Sequence, residues 1–554
     1  AAAIWGYDLY SVYIQDDWDV NDQFSVMAGV RYDWFSSNGF IPLNTGFEST
    51  YGFANTSDLD GKSIFLPRFS FSYDFEIPEE EDLSLVARGG VGRYSGGAPN
   101  VWISNNYSNS GTVISVIQGL PGGPIASGSP INFPAANFLG VAPVNFDPFP
   151  VPQALQDALT TRAGGGTVNA LDPNFKMPST WRFNLGLDGD WAGYQFTVEY
   201  LYMKGLDQLF WRDLRQTDPA NTAAVNAFDT PAPDADLGRK RYDLRTGRPS
   251  GTGSGFRDIV LTNVDAGEAQ YIVLAAKKYW EGFEGDGGID LSMGYTWSDV
   301  KDIGGGTSSV ANSNLTNRAY TNLNDPELAR SDFERRHRYT MNLGLNYSFF
   351  DGYETRLNFF AVRMSGQPFS YTFASGANGN FGTNQQNGAN LFYVPQVDAS
   401  GNIALTSDPR VVYAAGTTPA QLANFTSYLQ RTGLIEHAGS IAPRNEFFGP
   451  WSSRIDMSLE QDVTIWEDHK VTLELDIFNL TNLLNKNWGR FTSITFPPTA
   501  NVLNTSIVAS GVGGCTQATS CYSYNVNTLP AVGARESVAD SSYWQIQIGV
   551  RYEF

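Results

Sequence analysis

The sequence predicts an all-β chain, a transmembrane antiparallel β-barrel of about fourteen strands with long extracellular loops. Three observations predict it. First, the final stretch Tyr543 to Phe554 puts Trp544, Ile546, Ile548, Val550, Tyr552 and Phe554 on one face and Tyr543, Gln545, Gln547, Gly549, Arg551 and Glu553 on the other. That period of two is a strand with one apolar and one polar side. Second, the same alternation recurs along the whole chain. Third, its connections are of two kinds, short acidic turns and long loops rich in Gly, Pro and Asn, taken in turn.

The elements follow in order. Tyr10, Val12 and Ile14 alternate with Ser11, Tyr13 and Gln15; after the turn DWDVND, Phe24, Val26, Ala28, Val30, Tyr32 and Trp34 alternate with Ser25, Met27, Gly29, Arg31 and Asp33. A loop to about Lys62 leads to Pro67, Phe69, Phe71, Tyr73 and Phe75 opposite Arg68, Ser70, Ser72 and Asp74. The turn EIPEEED and a strand from about Leu83 to Tyr94 complete that hairpin. The connection from Ser95 to Met177 is far longer than compact soluble domains use. Strands at Trp181–Asp188 and Tyr194–Tyr202 follow, with a turn around Asp190, and after another long loop come Tyr271–Trp280, the turn EGFEGDG and Ile289–Ser298. Past residues 301 to 332, Tyr339–Phe349 turns through FDGYE into Thr355–Met364. A loop to Trp451, strands Arg454–Ile465 and Val471–Ile477 joined by WEDHK, and a last long loop precede the closing strand. Read as pairs, these are seven hairpins, with short turns at one end and long loops at the other.

A bilayer admits only helices or closed barrels, because every backbone polar group in hydrocarbon must be paired. No apolar run reaches the roughly 18 residues of a spanning helix. Short turns then lie in the periplasm and long loops outside. On this reading Arg454, Asp456, Glu460, Asp462, Glu474, Asp476, Arg551 and Glu553 face the lumen, where water or a plug can satisfy them. On the lipid face each would cost a few kcal/mol, about 2–4 at the midplane for a cation.

Composition agrees: of 554 residues 14% are aromatic, with 56 glycines and 27 tyrosines. A net charge of −21 argues against a nucleic-acid partner. It suits solvated acidic loops, a cationic ligand or divalent ions. Cys515 and Cys521 lie in a Gly/Ser/Thr/Asn-rich stretch with no histidine nearby, which favours a loop disulfide over a metal site and an oxidising compartment.

No cofactor or catalytic centre is expected. The three histidines, His337, His437 and His469, are far apart in sequence and form no triad or metal motif. Asp299, Asp302, Asp325 and Asp332 lack EF-hand spacing for calcium. Arg335, Arg336 and Arg338 at the outer rim suit either lumen carboxylates or anionic lipopolysaccharide. Trp102, Tyr107, Phe133 and Phe138 in one long loop, and Tyr371, Phe373, Phe381 and Tyr393 in another, sit among Asn, Gly and polar residues. Trp102, Tyr107, Tyr371, Phe373 and Tyr393 are the candidates for extracellular ligand contact, with a sugar or peptide as the suited ligand; the same aromatics also suit packing a loop into an ordered cap.

The stretch YSVYIQDDWDVNDQFSVMAGVRYDWF resembles the Y-x-Q-D-D-W…G-x-R-Y-D hairpin of TonB-dependent outer-membrane receptors, particularly the Oar-like branch. SDFERRHRYTMNLGLNYSF is similar to that branch's S-x-F-D-R-R-H-R strand start, and LELDIFNLTN and WQIQIGVRYEF to its last two strands. The resemblance implies energy-coupled import of a peptide, oligosaccharide or metal complex, and a barrel of about 22 strands around a plug. It implies partners too: outer-membrane lipids and lipopolysaccharide, the TonB complex acting through the plug, and the barrel assembly machinery, which would read Tyr552 and Phe554. A surface lipoprotein is compatible with it but has no motif here. The chain departs from the family pattern in showing no plug, no TonB box, no N-terminal carboxypeptidase-regulatory-like domain and no first eight or so strands. AAAIWGYDLY also has no signal-peptide pattern. Residues 1–554 are therefore expected to be the C-terminal portion of such a barrel. The alternatives are a stand-alone fourteen-stranded channel and a barrel that only displays adhesive loops; an enzyme lacks a recognisable nucleophile and base.

Overall fold

A computed structural model of the chain describes residues 4–112, 167–217, 232–241, 243–244, 257–282, 287–350, 353–374, 381, 387–466, 469–532, 536–538 and 542–554. Thirteen long strands form one antiparallel path in sequence order: β1 (Tyr7–Asp19), β2 (Phe24–Ser37), β3 (Ser63–Asp74), β4 (Leu83–Tyr94), β5 (Ser179–Trp191), β6 (Tyr194–Leu206), β7 (Glu268–Glu281), β8 (Gly287–Asp302), β9 (His337–Phe350), β10 (Tyr353–Met364), β11 (Ser452–Trp466), β12 (His469–Phe478) and β13 (Gln545–Glu553). The two-residue strand Ala329–Arg330 pairs with β8 and brings the sheet to fourteen. The expected seven hairpins are therefore six, followed by β13 alone, because the fourteenth strand is this short rim segment.

Short connections close the hairpins at one end. In the first, Asn21 accepts hydrogen bonds from the backbone of Gln23 and Phe24 at 3.0 and 2.9 Å. Between β5 and β6 a two-residue turn holds Ala192 and Gly193 at φ 50° and 72°, the left-handed geometry that matches strand twist. Asp190 caps it by accepting from the Gly193 amide at 3.0 Å. The turns EGFEGDG, FDGYE and WEDHK fall partly outside the described residues, but their flanks pair as Glu281 with Gly288, Phe350 with Tyr353 and Trp466 with His469. At the other end the chain runs through the long segments 38–62, 95–178, 207–267, 303–336, 365–451 and 479–544.

Register decides what shares a face. Gln15, Gly29, Arg68, Gly92, Arg182 and Met203 are successive partners across β1 to β6, and Asn346, Arg356, Glu460, Glu474 and Gly549 are successive partners across β9 to β13. Because directly paired residues point the same way, the polar positions of all strands make one continuous polar face. The other face is apolar and ringed at both ends. Trp18, Tyr73, Trp280, Phe349, Trp466 and Phe554 lie towards the short turns, and Tyr10, Trp34, Tyr339 and Trp451 towards the long loops, all at least 36% exposed. Aromatic belts of this kind mark the two headgroup levels of a membrane.

The two ends of the path, β1 and β13, are not paired with each other. Asp19 leads into the first short turn, and Glu553 lies opposite Lys470 beside the last one, so both edge strands run from the long-loop side to the short-turn side. Direct pairing between them would be parallel. Antiparallel closure of this wall takes an odd number of further strands.

Candidate functional site

The polar face gathers the lumen candidates into cross-strand networks. Arg356 on β10, which the sequence reading did not single out, is the centre of the largest. Its guanidinium bonds Glu354 at 2.7 Å, Glu460 at 2.8 Å and Asp462 at 2.8 Å. Asp462 also accepts from the Thr472 hydroxyl at 2.8 Å and lies 3.5 Å from Lys470, which reaches Glu553 at 3.3 Å. Arg551 pairs with Glu474 at 2.5 Å, and Arg454 with Asp456 at 2.6 Å. Asp456 in turn accepts from the Asn479 amide at 2.7 Å, fixing the end of β12. Asp476 lies on the same face, paired in register with Ser458 and Gln547. Seven of the eight sequence candidates are thus brought into ion pairs with one another or with Arg356 and Lys470. The signal that could have found Arg356 was its polar-face position within the expected strand Thr355–Met364; that it lies opposite Glu460 comes from the register alone.

A second network sits several strands away, where Arg88 bonds Asp188 at 2.6 Å and Glu199 at 3.1 Å. Between the two networks, small side chains at Ala275, Ser292, Gly294 and Thr340 leave a hollow of about 630 Å³ bordered by Asp188, Lys277 and Phe360. A Cβ at Gly294 would come within 2.7 Å of the Thr340 hydroxyl. The wall therefore offers paired charges on either side of a recess.

The long loops build a dome with its own cores. Phe373, Phe392, Tyr393, Phe425, Leu429, Tyr522 and Tyr524 pack together, from segments 365–451 and 479–544. Tyr107, Ile103, Trp211, Leu261, Leu315 and Tyr320 join the other loops. The ligand-contact expectation is corrected by this placement. Tyr107, Tyr371, Phe373 and Tyr393 are at most 5% exposed and present no ring to solvent, because loops this long carry enough apolar area to bury it among themselves. The half-buried Trp102 donates its indole N–H to the Ser308 carbonyl at 2.7 Å and packs edge-on against Trp211. Phe133 and Phe138 lie outside the described residues.

Buried charge ties the loops to one another. Arg239, fully buried, pairs with Asp234 at 3.0 Å, donates to the Leu391 carbonyl at 2.7 Å and lies over the Phe381 ring at 4.7 Å. The Tyr522 hydroxyl donates to Asp234 at 2.6 Å, so three loops meet at one ion pair. Tyr393 donates to Asp408 at 2.7 Å, and burial pushes its phenol well above the usual range. Cys515 and Cys521 are joined in a disulfide with Cα atoms 5.6 Å apart.

Most of the remaining sequence candidates have local partners, and Arg338 stands in β9 in register with Thr296 and Met364. Arg336 pairs with Asp299 at 2.8 Å and Glu334 at 2.9 Å, and Arg335 donates to the Glu334 carbonyl. Asp302, Asp325 and Asp332 are engaged separately by Arg444, Lys240 and Asn445. Among the described residues no cluster of three or more His, Cys, Asp or Glu side chains suits a metal. His337 bonds Tyr295, His469 bonds Tyr552, and His437 packs on Phe447.

Two consequences are measurable. Arg356→Ala leaves Glu354, Glu460 and Asp462 facing one another with only Lys470 beside Asp462; it is expected to lower the stability of the folded barrel by about 2 kcal/mol, and Arg356→Lys by less. Urea titration followed by the gel mobility of the folded form reads this directly. In the dome, burial pushes the Asp213 carboxyl up to about 6, against the opposite pull of the Arg257 guanidinium 3.7 Å away. A carboxyl whose folded value lies above its unfolded one binds its proton more tightly when folded, so its contribution favours the fold below both values and is lost as pH rises through about 6. Thermal unfolding from about pH 4 to 7 should show that loss in the native chain and a flatter profile in Asp213→Asn.

No curated protein matches the sequence. Among solved structures, the ferric enterobactin receptor of Pseudomonas aeruginosa is 9% identical, with 86% of this chain and 40% of that one covered at a TM-score of 0.36. The siderophore receptor PirA of Acinetobacter baumannii is 11% identical, covering 86% and 42% at 0.37. The outer membrane transporter YddB of Escherichia coli is 8% identical, covering 99% and 55% at 0.35. The chain spans about half the length of these structures or less. A family described as "Outer membrane beta barrel domain" matches residues 5–496, most of the chain. With its two-faced antiparallel wall and ordered outer loops, the chain belongs to the outer membrane beta barrel domain family.

Proposed function

We propose that this outer-membrane wall is the C-terminal part of an energy-coupled importer of the TonB-dependent kind. The observation that carries the reading is the direction of the two edges. β1 and β13 run the same way, so the wall does not close antiparallel on itself, and thirteen strands of about 22 leave nine, an odd number, to complete it. The sequence reading of about eight missing strands becomes nine on this count. The charged networks around Arg356 and Arg88, and the recess between them, are placed to dock a plug in the lumen. The motifs at 10–35, 331–349, 473–482 and 544–554 support the same class. Its solute is a peptide, oligosaccharide or metal complex that first meets the dome's outer surface, while the TonB complex acts on the plug. A surface lipoprotein on the dome and the assembly machinery at Tyr552 and Phe554 complete the proposed partners.

A stand-alone channel would have to close through parallel edges or through a further strand. A display scaffold would keep the dome but needs no docking charges on the lumen face. Intact-mass analysis of the denatured protein purified from outer membranes separates these readings. A covalent chain longer than 554 residues by a plug and nine strands is the expected result. A chain of these residues alone, with no companion fragment, would sink the importer reading.

A further inference from the structure

The lipid-facing side of the wall carries a feature that import does not use. At the long-loop end of β11, a cavity of about 700 Å³ opens between Trp451, Trp488, Asn487, Arg490, Thr481 and Thr492. Register fixes its side. Arg363 pairs with Ser453 and Tyr339, and Trp451 stacks near His337 and Tyr339 on the apolar face, with ring centroids 5.8 and 6.5 Å apart. The Arg363 guanidinium lies over the Trp451 ring, 5.4 Å from its centroid. The cavity therefore sits at the outer headgroup level, above the apolar positions Ile455 and Met457.

Its chemistry is selective. The chain has 57 acidic against 36 basic residues, yet no carboxylate lines this cavity. Arg490 is exposed in its wall and Arg363 beside it, and neither has a carboxylate partner among the described residues. Arg336 and Lys301, elsewhere at the rim, are by contrast neutralised, by Asp299 and Glu268. The Trp488 indole, 56% exposed, offers a flat face of the kind that stacks on sugar rings, Trp451 forms the wall beside it, and the Asn and Thr side chains offer hydrogen bonds to hydroxyls. Guanidinium groups favour phosphate through paired, charge-assisted bonds.

We infer that this cavity holds the phosphorylated sugar headgroup of an outer-leaflet glycolipid of the lipopolysaccharide class, with its acyl chains lying down the wall over Ile455 and Met457. This rests on the wall's place in the outer membrane and not on the importer reading, so either can fail alone. The test uses the full-length protein extracted from outer membranes in mild detergent, delipidated, and checked for folding by gel mobility. Lipid A, dephosphorylated lipid A, phosphatidylglycerol and inorganic phosphate are titrated separately while native mass spectra record binding. Lipid A should bind at one per chain and more tightly than the other three. The double variant Arg363→Gln, Arg490→Gln should weaken it roughly tenfold. Trp488→Ala, an exposed position that leaves the cores intact, should weaken dephosphorylated and phosphorylated forms alike. Equal binding by the native chain and the double variant would overturn the assignment. So would phosphatidylglycerol, dephosphorylated lipid A or free phosphate binding as tightly as lipid A.

Discussion

A backbone amide inside hydrocarbon has no water to bond, and the antiparallel ladder from β1 to β13 answers that need strand by strand. Once the ladder is fixed, side chains have only two directions to point, so residue identity at odd and even positions is set by which solvent lies on that side. The aromatic belts, the apolar band between them and the charged face opposite all follow from this. Lys278 shows the rule at its margin: it is in apolar register near the short turns, and its ammonium rests 4.4 Å from the Tyr194 ring centre while bonding the Ala192 carbonyl beyond the band.

The polar face uses charge in a different way from the dome. On the wall, Arg356 and Arg88 each draw carboxylates from neighbouring strands, which fixes side chains across the sheet without burying them fully. In the dome, Arg239 and Asp234 are removed from water altogether and are held by Tyr522, Leu391 and the Phe381 ring. Breaking such a pair leaves a buried charge uncompensated, so its bonds fix how three loops meet. The described loop residues thus pack into a dome with its own cores beside a charged wall.

Much of the wall was legible in the sequence, because a period of two is forced wherever lipid and water face opposite sides of one strand. The strands at Tyr10–Gln15, Tyr339–Phe349 and Arg454–Ile465 were readable for that reason, and so were the faces of Asp456, Glu460 and Glu474. The pairing of charges was not readable, since it depends on register between strands: Arg356 meets Glu460 and Asp462 only because Thr355 lies opposite Gln461. The fate of the loop aromatics was hidden too. Tyr371, Phe373 and Tyr393 carry no periodic signal, and whether they face solvent or other rings is settled by distant contacts: Phe373 and Tyr393 meet Tyr522, more than a hundred residues on, and Tyr371 meets Phe447. The exposed Trp451, Trp488 and Arg490 were equally silent, because their side of the wall is known only once β10 and β11 are in register.

The account stands on β11 separating lipid from lumen, and single nitroxide labels placed in turn at positions 453 to 465 in native outer membranes measure it most directly. Collision with oxygen should peak at 455, 457, 459, 461, 463 and 465, while a water-soluble nickel complex reaches, or a docked body shields, the even-numbered positions between them. Equal access of the nickel complex to both sets would contradict a wall between lipid and lumen.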